Sequence, residues 1–199
     1  MTTSLNELKS LGVLMVESHF DYGNGYHGTA YLNPHRLFQQ PGTIWRVAQD
    51  LIAKLPIDLV NATEVVSGPV MGGALLAHTV AGLLDGHRPL SHPACFFAPL
   101  SVDHSGSMVL RTFYREVVRG KRVLLVDDVR NTGKTFERAK ALLEDAGGIV
   151  IATVQICDRL EAVVDLGVPN IALAEYPAPE NYPAANCPLC RQGIPVAAF

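Results

Sequence analysis

The segment VLLVDDVRNTGKT, Val123–Thr135, decides the fold and ends in Gly-Lys-Thr, as a nucleotide-triphosphate loop does. Such a loop also needs a glycine five residues before Gly133, where the chain must bend tightly around phosphate oxygens. Asp128 occupies that position, and its carboxylate would repel the β-phosphate. The segment is therefore not a nucleotide-triphosphate loop, and its two adjacent acids, followed by small residues, must suit another ligand.

The sequence around this segment alternates between strand and helix signals, which predicts one α/β domain with a doubly wound parallel sheet. The nearly continuous apolar run Arg122–Val126 is typical of a strand buried on both faces. The predicted strands are Glu64–Ser67, Ala94–Ala98, Ser107–Tyr114, Arg122–Val126, Ile149–Ile156 and Asn170–Ala174, and the predicted helices are Asn6–Glu17, Thr43–Leu55, Gly72–Leu84, Thr135–Ala146 and Arg159–Leu166. From Tyr176 onward prolines are frequent, which predicts a structured loop or small cap rather than a helix.

The acid pair is predicted to lie where ligands bind in an open parallel sheet, beyond the carboxyl ends of the strands. The loop Val129–Thr135 then leads into a helix whose first amides are unpaired and attract an anion. Asp127 and Asp128 can accept hydrogen bonds from neighbouring ribose hydroxyls. The pattern therefore indicates a sugar 5-phosphate ligand. The alternative is that the acids only cap the following helix.

Composition excludes several other classes of protein. The formal charge of −3 and the pI of about 6.1 lack the clustered basic residues that nucleic-acid binding needs. No apolar run reaches the roughly 18 residues of a membrane span, and the N-terminal residues show no cleavage pattern. We therefore expect a cytoplasmic protein whose cysteines, Cys95, Cys157, Cys187 and Cys190, are reduced.

Several segments resemble one known family. VLLVDDVRNTGKT resembles the phosphoribosyl pyrophosphate signature of type I phosphoribosyltransferases, and HFDYGNGYHGTAYLNPHRLF, residues 19–38, is similar to a segment of orotate phosphoribosyltransferases. The Asp158-Arg159 pair resembles the same enzymes, and CPLCRQGIPV, residues 187–196, looks like the tail of their short, archaeal-type branch. The resemblance implies a type I phosphoribosyltransferase fold with a small hood built from about residues 18–40 and 176–199.

The resemblance also implies an activity, namely Mg²⁺-dependent transfer of ribose 5-phosphate from phosphoribosyl pyrophosphate to orotate by a homodimer. Asp127 and Asp128 would hold the ribose hydroxyls, and Arg111 would meet pyrophosphate. Magnesium would be held mainly through the substrate, with the two acids as further candidate ligands. The 5-phosphate would lie on Val129, Arg130, Asn131, Thr132, Gly133, Lys134 and Thr135. Pyrophosphate would lie on Ser67, Gly68, Pro69, Val70, Met71, Gly72 and Gly73. The base would contact Arg159 and His27.

Departures from the family pattern leave alternatives open. Gly23 stands where longer orotate enzymes present a lysine, and both serines of their pattern are missing between residues 24 and 28. The basic mobile loop is shortened, so only Arg111 and Arg115 remain near the pyrophosphate. Transfer to another base, or a non-catalytic regulator that binds phosphoribosyl pyrophosphate, therefore remain alternatives. Arg159 could instead cap its own helix or pair with Glu161 or Asp165, and His27 could be structural.

The tail raises a separate question about metal. Cys187 and Cys190 have the C-x-x-C spacing of half a zinc site, which would need two more ligands from Cys95, Cys157 or a histidine. From sequence alone, a packed and reduced pair of thiols that fixes the tail is favoured over zinc.

Overall fold

The computed structural model describes residues 5–23, 25–161, 164–177 and 180–197. The strands are β1 (Leu14–Asp21), β2 (Tyr26–Leu32), β3 (Val65–Pro69), β4 (Phe96–Val102), β5 (Met108–Val109), β6 (Arg122–Arg130), β7 (Ile149–Asp158), β8 (Asn170–Glu175) and β9 (Tyr182–Pro183). The helices are α1 (Leu5–Ser10), α2 (His35–Phe38), α3 (Pro41–Lys54), α4 (Ile57–Ala62), α5 (Gly72–Gly86), α6 (Thr112–Val118), α7 (Lys134–Asp145) and α8 (Pro188–Arg191), with a short 3₁₀ turn at Ala184–Asn186.

The main sheet has six strands in the order β5-β4-β3-β6-β7-β8. Its strands run parallel except β5, which pairs antiparallel with β4. This arrangement confirms the predicted α/β fold with a parallel central sheet. It also brings the carboxyl ends of β3, β4, β6 and β7 to one edge, where ligands bind in such sheets.

Two apolar clusters cover the faces of β6. Leu124 and Val126 pack into a cluster that includes residues of α3 and α5, whereas Val123 and Leu125 pack into one that includes residues of α7. All four side chains are fully buried. The apolar run that was predicted to be buried on both faces therefore lies between the two apolar clusters and contributes side chains to each.

A second, three-stranded sheet has the order β1-β2-β9. It is antiparallel, with Asp21 opposite His27 in the first pairing and His27 opposite Tyr182 in the second. The sheet thus joins residues 14–32 to a strand that comes after the whole main sheet. None of the helices in the described ranges combines the length and apolar character that a transmembrane helix needs.

Several predicted elements are wrong in extent or type. The helix predicted over Asn6–Glu17 ends at Ser10, because Gly12 adopts φ +67° and the following residues pair with β2 as β1. The strand predicted over Ser107–Tyr114 contains only the two residues of β5 before α6 begins at Thr112. In α6, Tyr114, Val117 and Val118 pack on the main sheet.

Two more differences lie near the site. The described residues of the predicted helix Arg159–Leu166 are not helical, and Leu160 adopts φ +57° while its amide donates to Asp158 Oδ1 at 2.8 Å. Residues 162 and 163 of that helix, like Asn24, lie outside the described residues. The tail, predicted to lack helix, contains the four-residue helix α8.

Candidate active site

The acid pair lies inside the carboxyl end of β6, because this strand runs to Arg130 instead of ending at Val126. The amide of Asp128 donates to Asp127 Oδ1 at 2.9 Å, and the amide of Val129 donates to Asp128 Oδ1 at 2.7 Å. Each carboxyl group is therefore fixed by the backbone through one oxygen. The two carboxyl groups also interact with each other.

Burial dominates the electrostatics of the pair. It raises the pKa of Asp127 well above its ordinary value, and the neighbouring charge of Asp128 raises this pKa further. Burial also raises the pKa of Asp128, although the Val129 amide and the charge of His35 on α2 oppose that rise. The free protein thus holds two carboxylates at a cost, and hydroxyl donors or a cation would reduce that cost.

Two glycines allow the start of α5, directly after β3, to lie against these acids. A Cβ at Gly72 would collide with Asp128 Oδ2, and one at Gly73 would lie 2.7 Å from both Asp127 Oδ1 and Pro69 Cδ. The fold therefore brings the predicted pyrophosphate segment, residues 67–73, next to the predicted ribose-binding acids. Its first three residues belong to β3 and its last two to α5. Among the described residues no side chain caps α5, so its first amides lack intrahelical partners and can bind a ligand.

Other members of this segment are engaged in the fold. Ser67 Oγ donates to the carbonyl of Ala98 at 2.6 Å, and the Val70 amide donates to the carbonyl of Leu100 at 3.0 Å. The Val70–Met71 peptide bond is cis, and the Met71 side chain is exposed. Ser67 Oγ and the Val70 amide are thus already engaged by β4.

The predicted phosphate loop is shorter than the sequence indicated. Val129 and Arg130 belong to β6 and pair with β7, which leaves a turn at residues 131–133 before α7. Gly133 adopts φ +83°, a conformation that glycine accepts readily, and no side chain caps the N-terminus of α7. The turn and the first amides of α7, from Lys134 and Thr135 onward, form an opening suited to an anion.

Arg130 takes part in a buried network beside this turn, where a Cβ at Gly133 would lie 3.4 Å from its Nε. Its Nη1 lies 3.3 Å from Asp158 Oδ2, and its Nη2 donates to the carbonyl of Val164 at 3.0 Å. Asp158 Oδ2 also accepts from Gln155 Nε2 at 3.3 Å and from Asn170 Nδ2 at 2.9 Å. In this structure the guanidinium therefore ties β6 to β7 and to the segment that precedes β8.

A cavity of about 550 Å³ adjoins the phosphate turn. It is lined by Tyr22, Tyr26, Tyr31, Leu32, Asn131, Thr132, Arg159, Glu161 and Asn181. Arg159 Nη2 forms an ion pair with Glu161 Oε1 at 3.2 Å, and the guanidinium lies 5.9 Å from the centre of the Tyr22 ring. Within the described residues, no hydrogen bond reaches three buried atoms of this wall, namely Arg159 Nη2, Glu161 Oε1 and Asn181 Oδ1. The cavity wall thus holds a paired guanidinium and carboxylate next to the Tyr22 ring.

The remaining predicted residues lie elsewhere. His27 contacts His19, Cys187 and Cys190 and does not line the cavity. Arg111 is exposed at the start of α6, while Arg115 pairs with Asp145 at 2.7 Å. The carboxyl end of β4 reaches the ligand edge of the sheet, and the turn after it exposes His104, which the sequence analysis did not select.

Sequence reasoning also missed most of the cavity wall. The three tyrosines lie within the segment that resembles orotate enzymes, but their number and type did not indicate that they face a ligand. Asn181 is a single residue in a proline-rich tail, and only the pairing of β9 with β2 explains its position. Glu161 was considered only as a partner of Arg159, and its contact with the cavity depends on the non-helical path of residues 159–161.

Comparison with known proteins gives a consistent result. The family profile described as "Phosphoribosyl transferase domain" matches residues 39–166. A similar curated protein is the orotate phosphoribosyltransferase of Carboxydothermus hydrogenoformans, which is 34% identical over 92% of this chain and 88% of its own.

Solved structures with a similar fold include two phosphoribosyltransferases. The Aeropyrum pernix orotate phosphoribosyltransferase has a TM-score of 0.65 and 22% identity, with coverage of 85% of this chain and 92% of its own. The adenine phosphoribosyltransferase of Thermoanaerobacter pseudethanolicus has a TM-score of 0.64 and 18% identity, with coverage of 85% and 99%. At these identities the two structures establish the shared fold alone. One is named for orotate and the other for adenine, so enzymes with this fold act on different bases.

Proposed function

Because the chain belongs to the type I phosphoribosyltransferase family, a family of pentosyltransferases, we propose that it transfers ribose 5-phosphate from phosphoribosyl pyrophosphate to orotate. The products are orotidine 5′-monophosphate and pyrophosphate, as in pyrimidine biosynthesis. The observation that carries the proposal is the cavity shared by the phosphate turn, through Asn131 and Thr132, and by Arg159. One cavity can therefore hold a sugar phosphate and a carboxylated base side by side.

The acids act on the ribose. Ribose hydroxyls donate to Asp127 and Asp128, which fixes the sugar and places negative charge near it. As the bond from the anomeric carbon to pyrophosphate breaks, the ribose becomes cation-like, and the base nitrogen forms the new bond. Fixed carboxylates stabilise this charge without reorganising. Because two charged carboxylates are costly in the free site, ribose binding should also favour their ionised forms.

The N-terminal ends of α7 and α5 hold the 5-phosphate and the pyrophosphate, respectively. The 5-phosphate lies on the turn at residues 131–133 and on the first amides of α7, while pyrophosphate lies on the segment at residues 67–73 and on the start of α5. These sites flank the acids on β6. Alignment of sugar, leaving group and base is then the main contribution of the protein to the rate.

Magnesium fits the donor set of the site. The carboxylates of Asp127 and Asp128 are hard oxygen donors, and this cation usually keeps substrate phosphates and waters as its other ligands. When bound, it would neutralise pyrophosphate as that group leaves. Asp127 and Asp128 would hold it together with the substrate.

Arg159 binds the base in this proposal. A guanidinium can grip the carboxylate of orotate through two parallel hydrogen bonds. The Tyr22 ring beside Arg159 offers a surface on which a flat base can stack. We also propose that the β1-β2-β9 sheet acts as the hood over this cavity, and that the enzyme is a cytoplasmic homodimer.

A second candidate is transfer to a base without a carboxylate. Glu161 favours it, because its carboxylate already pairs with Arg159 and would repel an anionic base. The fold does not decide between the two candidates, since it also occurs in an adenine enzyme.

One assay tests the proposed function. The protein is incubated with Mg²⁺, phosphoribosyl pyrophosphate and, separately, orotate, uracil or adenine, and pyrophosphate release is measured. We expect release with orotate and its loss in Asp128→Asn, while the exposed Asp58→Asn variant stays active. Release only with another base supports the second candidate. Binding of phosphoribosyl pyrophosphate without release by any base would show a regulator and overturn both.

A further inference from the structure

Four metal-ligating side chains meet at the small sheet, outside the cavity. His19 lies on β1 and His27 on β2. Cys187 immediately precedes α8, and Cys190 lies within it. One ligand atom from each lies within 4.8 Å of all the others. We propose that these residues form a structural zinc site that fastens the segment of α8 to β1 and β2.

The distances suit a tetrahedral zinc ion. Zinc bound about 2.3 Å from sulfur and about 2.0 Å from nitrogen places neighbouring nitrogen and sulfur ligands about 3.6 Å apart. His19 Nε2 lies 3.7 Å from both sulfurs, and His27 Nδ1 lies 3.4 Å from Cys190 Sγ. The two nitrogens are 2.8 Å apart, so zinc binding needs them to separate by about 0.5 Å.

A hydrogen bond joins the two histidine rings. His19 Nδ1 lies 2.7 Å from the carbonyl oxygen of Ile194, which can only accept, so Nδ1 carries a proton. In neutral rings, His19 Nε2 then accepts from His27 Nδ1 at 2.8 Å. His27 Nε2 faces Asp21 Oδ1 at 3.8 Å.

Zinc would replace the proton between these two nitrogens, and both nitrogens would then bind the metal together with the two sulfurs. The outer contacts then match those that metal-bound histidines usually make, to a backbone carbonyl in one case and to a carboxylate in the other. The cluster therefore has suitable ligands and suitable support around them.

The burial of the cluster indicates a structural role. His19, His27 and Cys187 are buried, and only Cys190 is exposed. Four protein ligands of the two-cysteine, two-histidine type leave no open position for a substrate. The other two cysteines take no part: Cys95 and Cys157 are free and lie outside the cluster.

The site would connect distant parts of the chain. His19 and Cys187 are 168 positions apart, and the described contacts that hold the tail near them include the pairing of β9 with β2 and a hydrogen bond from the Ala197 amide to the His19 carbonyl at 2.7 Å. A metal that joins both parts would stabilise the small sheet strongly, since metal binding free energy adds to folding free energy. This inference does not depend on the reaction or on the base.

The test uses the full chain, purified in metal-depleted buffer from cells grown with zinc. Metal content is measured by mass spectrometry for the wild type, for Cys190→Ser and for the control Cys95→Ser. Because Cys190 is exposed, its replacement leaves the core packing intact. We expect one zinc per chain in the wild type and the control. In Cys190→Ser, competition with a chromogenic chelator should show zinc affinity lowered more than about 100-fold.

Two further measurements address the coordination. Cobalt added to the chelator-treated wild type should give the intense visible absorption of a tetrahedral thiolate complex, and Cys190→Ser should lose it. Zinc should raise the Tm of the chelator-treated wild type and of Cys95→Ser, but not that of Cys190→Ser. A zinc-free wild type whose Tm does not respond to zinc, or equal zinc retention in Cys190→Ser, overturns the site and leaves a packed pair of reduced thiols.

Discussion

Oε1 of Glu161 lies 3.2 Å from Nη2 of Arg159 in the wall of the candidate active site. The guanidinium that is proposed to select the base is therefore already paired with a carboxylate. An anionic base must either replace Glu161 as the partner of Arg159 or share the guanidinium with it. The strength of this pair sets how well the cavity accepts a carboxylated base.

We expect Arg159→Ala to lower kcat/KM for orotate by about 10- to 100-fold, because hydrogen bonds to charged groups contribute roughly 1.5–3 kcal/mol. Release with uracil, if any, should be unchanged. Glu161→Gln is the matched variant and should improve orotate use by removing the competing charge. Equal losses for all bases in Arg159→Ala would contradict a selective role, and steady-state kinetics with each base measures the difference.

Gly72→Ala should disable the site without unfolding the chain. The new methyl group would collide with Asp128 Oδ2 and displace that carboxylate, and such misplacement can cost about 100-fold in rate. Gly82→Ala, in the same helix but with open space around it, should keep full activity and raise the free energy of unfolding by about 0.5–1 kcal/mol. Full activity in Gly72→Ala would show that the acid does not need its present position.

Asp127→Asn should stabilise the free protein at neutral pH while it removes activity. Because burial raises the pKa of Asp127 in the folded state, the folded protein holds this proton where the unfolded chain has lost it. Stability is therefore lost as pH rises from the ordinary pKa of about 3.9 to the folded value, by about 1.4 kcal/mol per unit. Asparagine stays uncharged as pH rises, so the variant does not lose this stability.

Urea unfolding of the wild type and Asp127→Asn across this pH range measures the effect. The advantage of the variant should be largest above the folded pKa and should shrink toward zero near pH 4. A variant that is less stable than the wild type at pH 7.5, or a difference independent of pH, would argue against a costly buried charge.

Asp158→Asn should destabilise the fold by about 3–5 kcal/mol, because it leaves the buried Arg130 without its counter-charge. Glu144→Gln removes the i,i+4 pair with Lys140 on α7 and should cost only about 0.5 kcal/mol. Denaturant melts compare the two. If the Asp158→Asn variant keeps its stability but binds phosphate more weakly, Arg130 serves the ligand more than the core. The resemblance to the family implied such a role for Arg130.

The main sheet was predictable because its signals are local. Val123–Val126 has to be buried on both faces, and the helices that cover it follow from apolar spacing and glycine ends. The wrongly predicted helix Asn6–Glu17 had ambiguous spacing. Leu8, Leu11 and Leu14 fit one helical face, yet Gly12 turns the chain and Leu14 begins a strand. Pairing with β7, which no local pattern shows, extends β6 to Arg130.

The candidate site was predictable only in part, for the same reason. The acids and the glycines beside them lie on elements with clear sequence signals. The role of His27 could not be read from its neighbours in sequence, because the contacts that define its environment come from His19 and from the tail. The spacing of Cys187 and Cys190 matches half of a zinc site, although the sequence favoured a packed pair of thiols, and the fold brings His19 and His27 next to them.

The pairing of β9 with β2 has a consequence for how the protein is made. On the ribosome, β1 and β2 emerge early, and the outer edge of β2 at Tyr26 and His27 stays open until Tyr182 and Pro183 follow. Open strand edges are templates for aggregation. A polypeptide released before these residues would have an unprotected edge and a cavity without Asn181, so quality control can recognise it while it is still inactive.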